Sequence, residues 1–163
     1  MRKVFLWLLL IFVMVGVYQI GHDAGHAEGF EAGLVAPRPI QKPKSGDILV
    51  GKEYASSTIT VTADSSHDYV VSMKYKTGAE CIAFYVAAGD SVTVGVPASP
   101  LYAFFASGTH WYGYGEGLMF GEETTYFKDD SALDFNGFSW EYTLSPVTNG
   151  NFHETHISED DFF

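Results

Sequence analysis

Two patterns of apolar positions divide the chain. From Val4 to Ile20 apolar residues run without interruption, VFLWLLLIFVMVGVYQI, a 17-residue stretch with no charge, behind Arg2 and Lys3. From Asp47 onward apolar and polar positions alternate in short runs broken by turn residues, the period of half-buried strands. Ser57–Ala63 is the cleanest case: Ile59 and Val61 share one face, and Thr58, Thr60 and Thr62 share the other. Tyr69, Val71, Met73 and Tyr75 make a similar stripe, with Ser72, Lys74 and Lys76 facing away. Val92, Val94 and Val96 make a third. In Cys81–Ala87 and Leu101–Ala106 both faces are apolar. With shorter runs at Asp47–Tyr54, Glu123–Lys128 and Phe138–Leu144, this predicts about eight strands. No helical period interrupts them. The expectation is an all-β fold: an antiparallel, jelly-roll-like β-sandwich preceded by a single N-terminal apolar helix. Strands without helical crossovers should pair antiparallel. Val61, Val71, Phe84, Val94, Phe104 and Trp140 are its expected core.

The uninterrupted run sits at the short limit for a membrane-spanning helix and just beyond the core of a signal peptide. It is read as an uncleaved anchor through Val4, Leu8, Leu9, Leu10, Ile11, Val13, Val15 and Val17. The alternative is cleavage after Ala27, and secretion. The basic Arg2 and Lys3 place the start of the chain in the cytoplasm and the rest outside. Past the run, Gly21, Gly25, Gly29 and Gly33 recur every four residues. On a helix they draw one stripe, and each costs about 0.8–1 kcal/mol relative to alanine, so close helix approach would have to compensate. This is a self-association stalk or a polar, partly helical extension. Its Gly-x-x-x repeat resembles the Yae1-type N-terminal segment, although His22 and His26 stand where an aromatic commonly precedes the repeat. Those two histidines have the spacing of a helical metal pair but no third ligand.

Three prolines, Pro37, Pro39 and Pro43, then forbid helix and favour extended chain. The expected organisation is an anchor or signal peptide over residues 1–20, a glycine stalk over 21–33, a linker over 34–45, a sandwich over 46–152 and an acidic tail over 153–163.

Charge narrows the partners. The chain carries a net −11, and the residues after Lys44, with four basic and 17 acidic side chains, carry −13. That argues against nucleic acid as a partner. It also holds the domain off an anionic bilayer surface, while serving solubility. The single cysteine, Cys81, forms no intrachain disulfide, and its apolar neighbours Ile82 and Phe84 suit a buried thiol.

Candidate chemistry is sparse. No Gly-x-Ser-x-Gly elbow and no phosphate loop are present. The stretch Ser107–Gly121 breaks the alternation with His110, Trp111, Tyr112, Tyr114, Met119 and Phe120 among glycines. Such aromatics stack on a sugar ring or seat a peptide, or they plug one end of a sandwich. His110, Trp111, Tyr112 and Tyr114 are the candidate ligand-binding set. Asp129, Asp130 and Asp134 could hold calcium but lack the spacing of an EF-hand, and with Glu141 they supply the carboxylate pairs that glycan hydrolysis needs. In so acidic a chain such pairs arise by chance. His153, His156 and the acidic residues after them are a second metal candidate or a solvated tail whose Phe162 and Phe163 dock or fray. No cofactor is expected. The expected partners are the membrane, a second copy, or an envelope glycan or protein.

Three blocks, FYVAAGDSVTVGVPASPLYAFFASGTHWYG, LMFGEETTYFKDD and WEYTLSPVTNGNF, resemble a family of uncharacterised domains of Gram-positive bacteria. Ala88-Gly89-Asp90, Val94-Gly95-Val96-Pro97, Phe105-Ala106-Ser107-Gly108, Trp111-Tyr112-Gly113 and Asn149-Gly150-Asn151-Phe152 carry the resemblance, which covers the chain from about Gly46 onward. In that family the domain commonly follows a membrane segment, with or without a zinc ribbon, and this chain has no ribbon. The resemblance implies a location and a fold, and no catalytic activity.

Overall fold

Alternating runs of Val, Thr, Tyr and Phe pair into two sheets in the computed structural model, which describes residues 37–145 and 154–163. The apolar run from Val4 to Ile20, the glycines Gly21, Gly25, Gly29 and Gly33, and the Asn149–Phe152 signature lie outside the described residues. Among the described residues no helix is long and apolar enough to cross a membrane.

Among the described residues ten strands form: β1 (Ile48–Gly51), β2 (Ser57–Ala63), β3 (Asp68–Lys74), β4 (Glu80–Val86), β5 (Ser91–Val96), β6 (Pro100–Gly108), β7 (Thr125–Asp129), β8 (Leu133–Asp134), β9 (Trp140–Leu144) and β10 (Glu154–His156). The larger sheet has the order β1-β4-β3-β6-β7-β10, with β8 also on β6, and every pair in it is antiparallel. The smaller sheet is β5-β2-β9. The fold is all-β, as the alternation predicts.

Four differences from that expectation have physical causes. The pair β2–β9 is parallel, Ile59 opposite Trp140 and Val61 opposite Tyr142. A parallel pair needs a long crossover, normally a helix; here β3, β4, β6, β7 and β8 of the larger sheet and β5 of the smaller one fill the connection. Second, β8 and β10 are too short for an alternation to show. Third, a helical turn, α1 (Glu159–Phe162), closes the chain. Ser158 caps it and Asp161 completes the capping box, a local signal legible in Ser-Glu-Asp-Asp. Fourth, the proline-containing linker is not wholly a spacer, since the compact unit starts at Arg38. The Ile40 N–H donates to the Trp111 carbonyl at 2.8 Å, Lys42 pairs with Asp68, and the Gly46 N–H donates to the Tyr85 carbonyl. Extended chain leaves its main-chain N–H groups free, and these find acceptors along the larger sheet.

The core between the sheets gathers Ile59, Val61, Val94 and Val96 from one side and Val71, Phe84 and Phe105 from the other, with Tyr142 and Leu144 from β9. Of the expected core, Val61, Val71, Phe84 and Val94 are there. Phe104 points to the opposite face, and its neighbour Phe105 takes the inner place; in a strand apolar on both faces, alternation alone does not say which is which. Trp140 stays 40% exposed at the start of β9, its indole N–H donating to the Asp134 carbonyl at 2.8 Å. Close approach explains one glycine. A Cβ at Gly95 would fall 1.9 Å from the Tyr54 carbonyl oxygen, so any larger residue pushes the β1–β2 connection off β5.

Candidate functional site

The outer face of the larger sheet is not solvated. It holds a second apolar cluster of Val70, Tyr85, Ala106, Trp111, Met119, Phe120 and Phe162. Two segments cover it: the connection from β6 to β7, and the chain after β10. This accounts for strands β3, β4 and β6 being buried on both faces.

The β6–β7 connection folds back on itself, Gly113 bridging Met119 and the Tyr112 N–H donating to the Met119 carbonyl at 2.8 Å. Gly108 lets it approach, for a Cβ there would meet Phe120 at 2.2 Å. Of the predicted set, Trp111 is only 4% exposed and packs edge-on against Tyr85 and Phe120. His110 is exposed, with Nδ1 3.0 Å from the Thr109 hydroxyl and 3.3 Å from the Glu123 carboxylate. Hydrogen bonds from Thr109 and then His110 hold the Glu123 carboxyl below the usual range. Tyr112 is half-buried, its ring against Gly121. Tyr114 is half-buried too; its hydroxyl donates to Glu80 at 2.7 Å and its ring meets Phe163 edge-on. The four do not converge on one open surface. Trp111 faces the sheet, His110 faces solvent, and Tyr114 reaches toward the C-terminal turn.

That turn covers a cluster the alternation pattern does not reveal. Lys74, on the polar stripe of β3, is 4% exposed rather than solvated. Its ammonium donates to the Phe162 carbonyl and lies over the rings of Phe104, at 4.8 Å, and Phe162, at 5.5 Å. Burial pushes the Lys74 pKa down, against the nearby Glu80 charge that raises it. Glu80 in turn accepts from Ser72, its neighbour on the sheet, and from Tyr114. Burial and that carboxylate both push the Tyr114 phenol up. The signal in the sequence is a lysine on the polar stripe of a strand flanked by doubly apolar ones. Alternation alone assigns such a lysine to solvent.

At the other end of the same face Asp68 is 3% exposed. Lys42 meets its Oδ2 at 2.7 Å, and the Ala88 N–H donates to its Oδ1 at 2.9 Å. Burial alone would raise this carboxyl, but Lys42, Tyr85 and the Ala88 N–H together hold it below its ordinary value.

The acidic trio is not gathered. Asp129 accepts from the Tyr142 hydroxyl and the Ser131 N–H, Asp130 from the Thr155 hydroxyl, and Asp134 from the backbone and side chain of Asn136. Among the described residues no group of three or more His, Cys, Asp or Glu is placed to hold a metal ion. Cys81 is buried, its thiol donating to the Met73 carbonyl at 3.1 Å; burial pushes it up to about 11. A thiol held that high is almost wholly protonated at neutral pH.

With this geometry in hand, comparison with known proteins finds no matching family model, no matching curated protein and no matching solved structure.

Proposed function

We propose that the chain is a membrane-tethered extracytoplasmic β-sandwich that works by binding or by assembly, not by catalysis. One observation carries this reading: a 17-residue uncharged apolar run behind Arg2 and Lys3 precedes an all-β unit. The side-chain pairing supports it further. The Lys74, Glu80, Asp68 and Asp129 groups are each engaged in holding the fold, with hydroxyls, main-chain groups or, for Asp68, the Lys42 ammonium. The resemblance to membrane-associated Gram-positive domains points the same way. Protease treatment of intact cells making the full chain, followed by membrane fractionation, tests the reading. The expected result is a membrane-bound chain that loses its C-terminal domain to external protease. A protected chain in the soluble fraction overturns it.

The four-residue glycine repeat favours a second reading, a structural envelope component assembled through Gly21, Gly25, Gly29 and Gly33. Crosslinking of the same membranes distinguishes it, since a monomer band alone counts against assembly.

A further inference from the structure

The segment Glu154–Phe163 lies on the larger sheet as a bound peptide lies on a receptor. Glu154, Thr155 and His156 add to the edge of β7 opposite Asp129, Lys128 and Phe127, and all three are exposed. The Ile157 N–H then donates to the Tyr126 carbonyl at 3.1 Å. Glu159 accepts from the Tyr126 hydroxyl at 2.9 Å and from the Gly117 N–H at 2.7 Å. Phe162 is fully buried, its ring 5.2 Å from Tyr126 and 6.4 Å from Phe104, and its carbonyl takes the Lys74 ammonium. Strand addition at an edge followed by one aromatic anchor is a recurring mode of peptide recognition.

Two further features distinguish this arrangement from an ordinary last strand. No residue of the segment belongs to the core between the sheets. The apolar floor beneath Phe162 holds one buried ammonium, that of Lys74, where a purely structural plug would rest better on apolar side chains alone, because a buried ammonium is costly and an apolar residue of similar volume is often neutral or stabilising. Lys74 instead fixes the position of one main-chain carbonyl and one ring, which is selectivity. Charge agrees. After Lys44 the chain has four lysines, Lys52, Lys74, Lys76 and Lys128. Two of them meet this acidic segment: Lys74 under Phe162, and Lys128 opposite Thr155, attracting Asp161.

We propose that this groove is an exchangeable peptide site, filled in cis by Glu154–Phe163 and in trans by the same segment of a second copy. The edge of β7 supplies the main-chain register, Phe104 and Tyr126 the aromatic cup, and Lys74 the carbonyl clamp. The proposal holds wherever in the cell the domain resides.

The test uses the full chain in detergent micelles and a fluorescein-labelled peptide of residues 154–163. Phe162→Ala removes the chain's own anchor and leaves the walls of the groove intact. The variant is expected to bind the peptide at least about tenfold more tightly than the wild type, whose groove is self-filled. Adding Lys74→Met to that variant is expected to weaken the peptide by about tenfold. Failure of the Phe162→Ala chain to bind, or equal binding by the wild type, overturns the site. Hydrogen exchange on the wild type guards against a variant that fails to fold. Amides of residues 155–157 should exchange well before those of β3 and β6, and exchange at a common rate overturns the proposal. For the trans arrangement, energy transfer between two labelled populations of the wild type should appear on mixing and vanish with excess peptide. Its absence overturns that arm.

Discussion

Asp68 shows how single residues use the acidity of this domain. Its carboxylate is buried beside Lys42, the Ala88 N–H and the Tyr85 phenol. Elsewhere four carboxylates accept a tyrosine hydroxyl: Asp64 from Tyr69, Glu80 from Tyr114, Glu159 from Tyr126 and Asp129 from Tyr142. Part of the net negative charge is therefore structural, not only a source of solubility. Because Asp68 is held below its unfolded value of about 3.9, its contribution is fully present above that pH and is lost as pH falls through the folded value. Asp68→Asn is expected to lower stability at pH 7 by about 1–3 kcal/mol. It should also flatten the decline as pH falls from about 5 downward through the folded value. Urea midpoints of both chains across that range check this, and parallel declines would count against the assignment.

At the scale of elements, β4 and β6 read as apolar on both faces, and the structure covers them on both. That much is legible from Ile82, Ala83, Phe84 and Tyr85 in one run, because no strand with a wet face tolerates four such neighbours. What covers the second face is not legible. The glycines of the β6–β7 connection signal only a break in alternation, and a three-residue strand followed by one helical turn is shorter than any period. The aromatic connection lies on the outer face of the larger sheet and not across one end of the sandwich, Trp111 resting on Tyr85 and Phe120. Trp111→Ala should cost about 3–5 kcal/mol in unfolding free energy, the range for deleting a buried aromatic. Chemical denaturation measures it, and a change under 1 kcal/mol would mean that the ring does not hold the connection down.

At the scale of the whole molecule, the two sheets are joined by polar stitches as well as by the core. Tyr142 on β9 donates to Asp129 on β7 at 2.5 Å, and Ser57 on β2 donates to the Phe135 carbonyl at 2.5 Å, each linking an element of the smaller sheet to one outside it. Tyr142→Phe keeps the ring against Phe105 and removes the hydroxyl alone, so a loss of about 1–2 kcal/mol is expected. Calorimetry of the full chain checks this, and an unchanged transition would leave the stitch without weight. The amino-acid sequence by itself determined that the domain is built of strands, where most of them lie, and that Val61, Val71 and Val94 point inward, because period-two burial is a local property of each strand. Only the tertiary structure decided that β2 and β9 run parallel, that Phe105 and not Phe104 faces the core, and that Lys74 is buried under Phe162. Those outcomes depend on which segments come to lie over one another, and pairing between residues far apart in the chain leaves no local period to read.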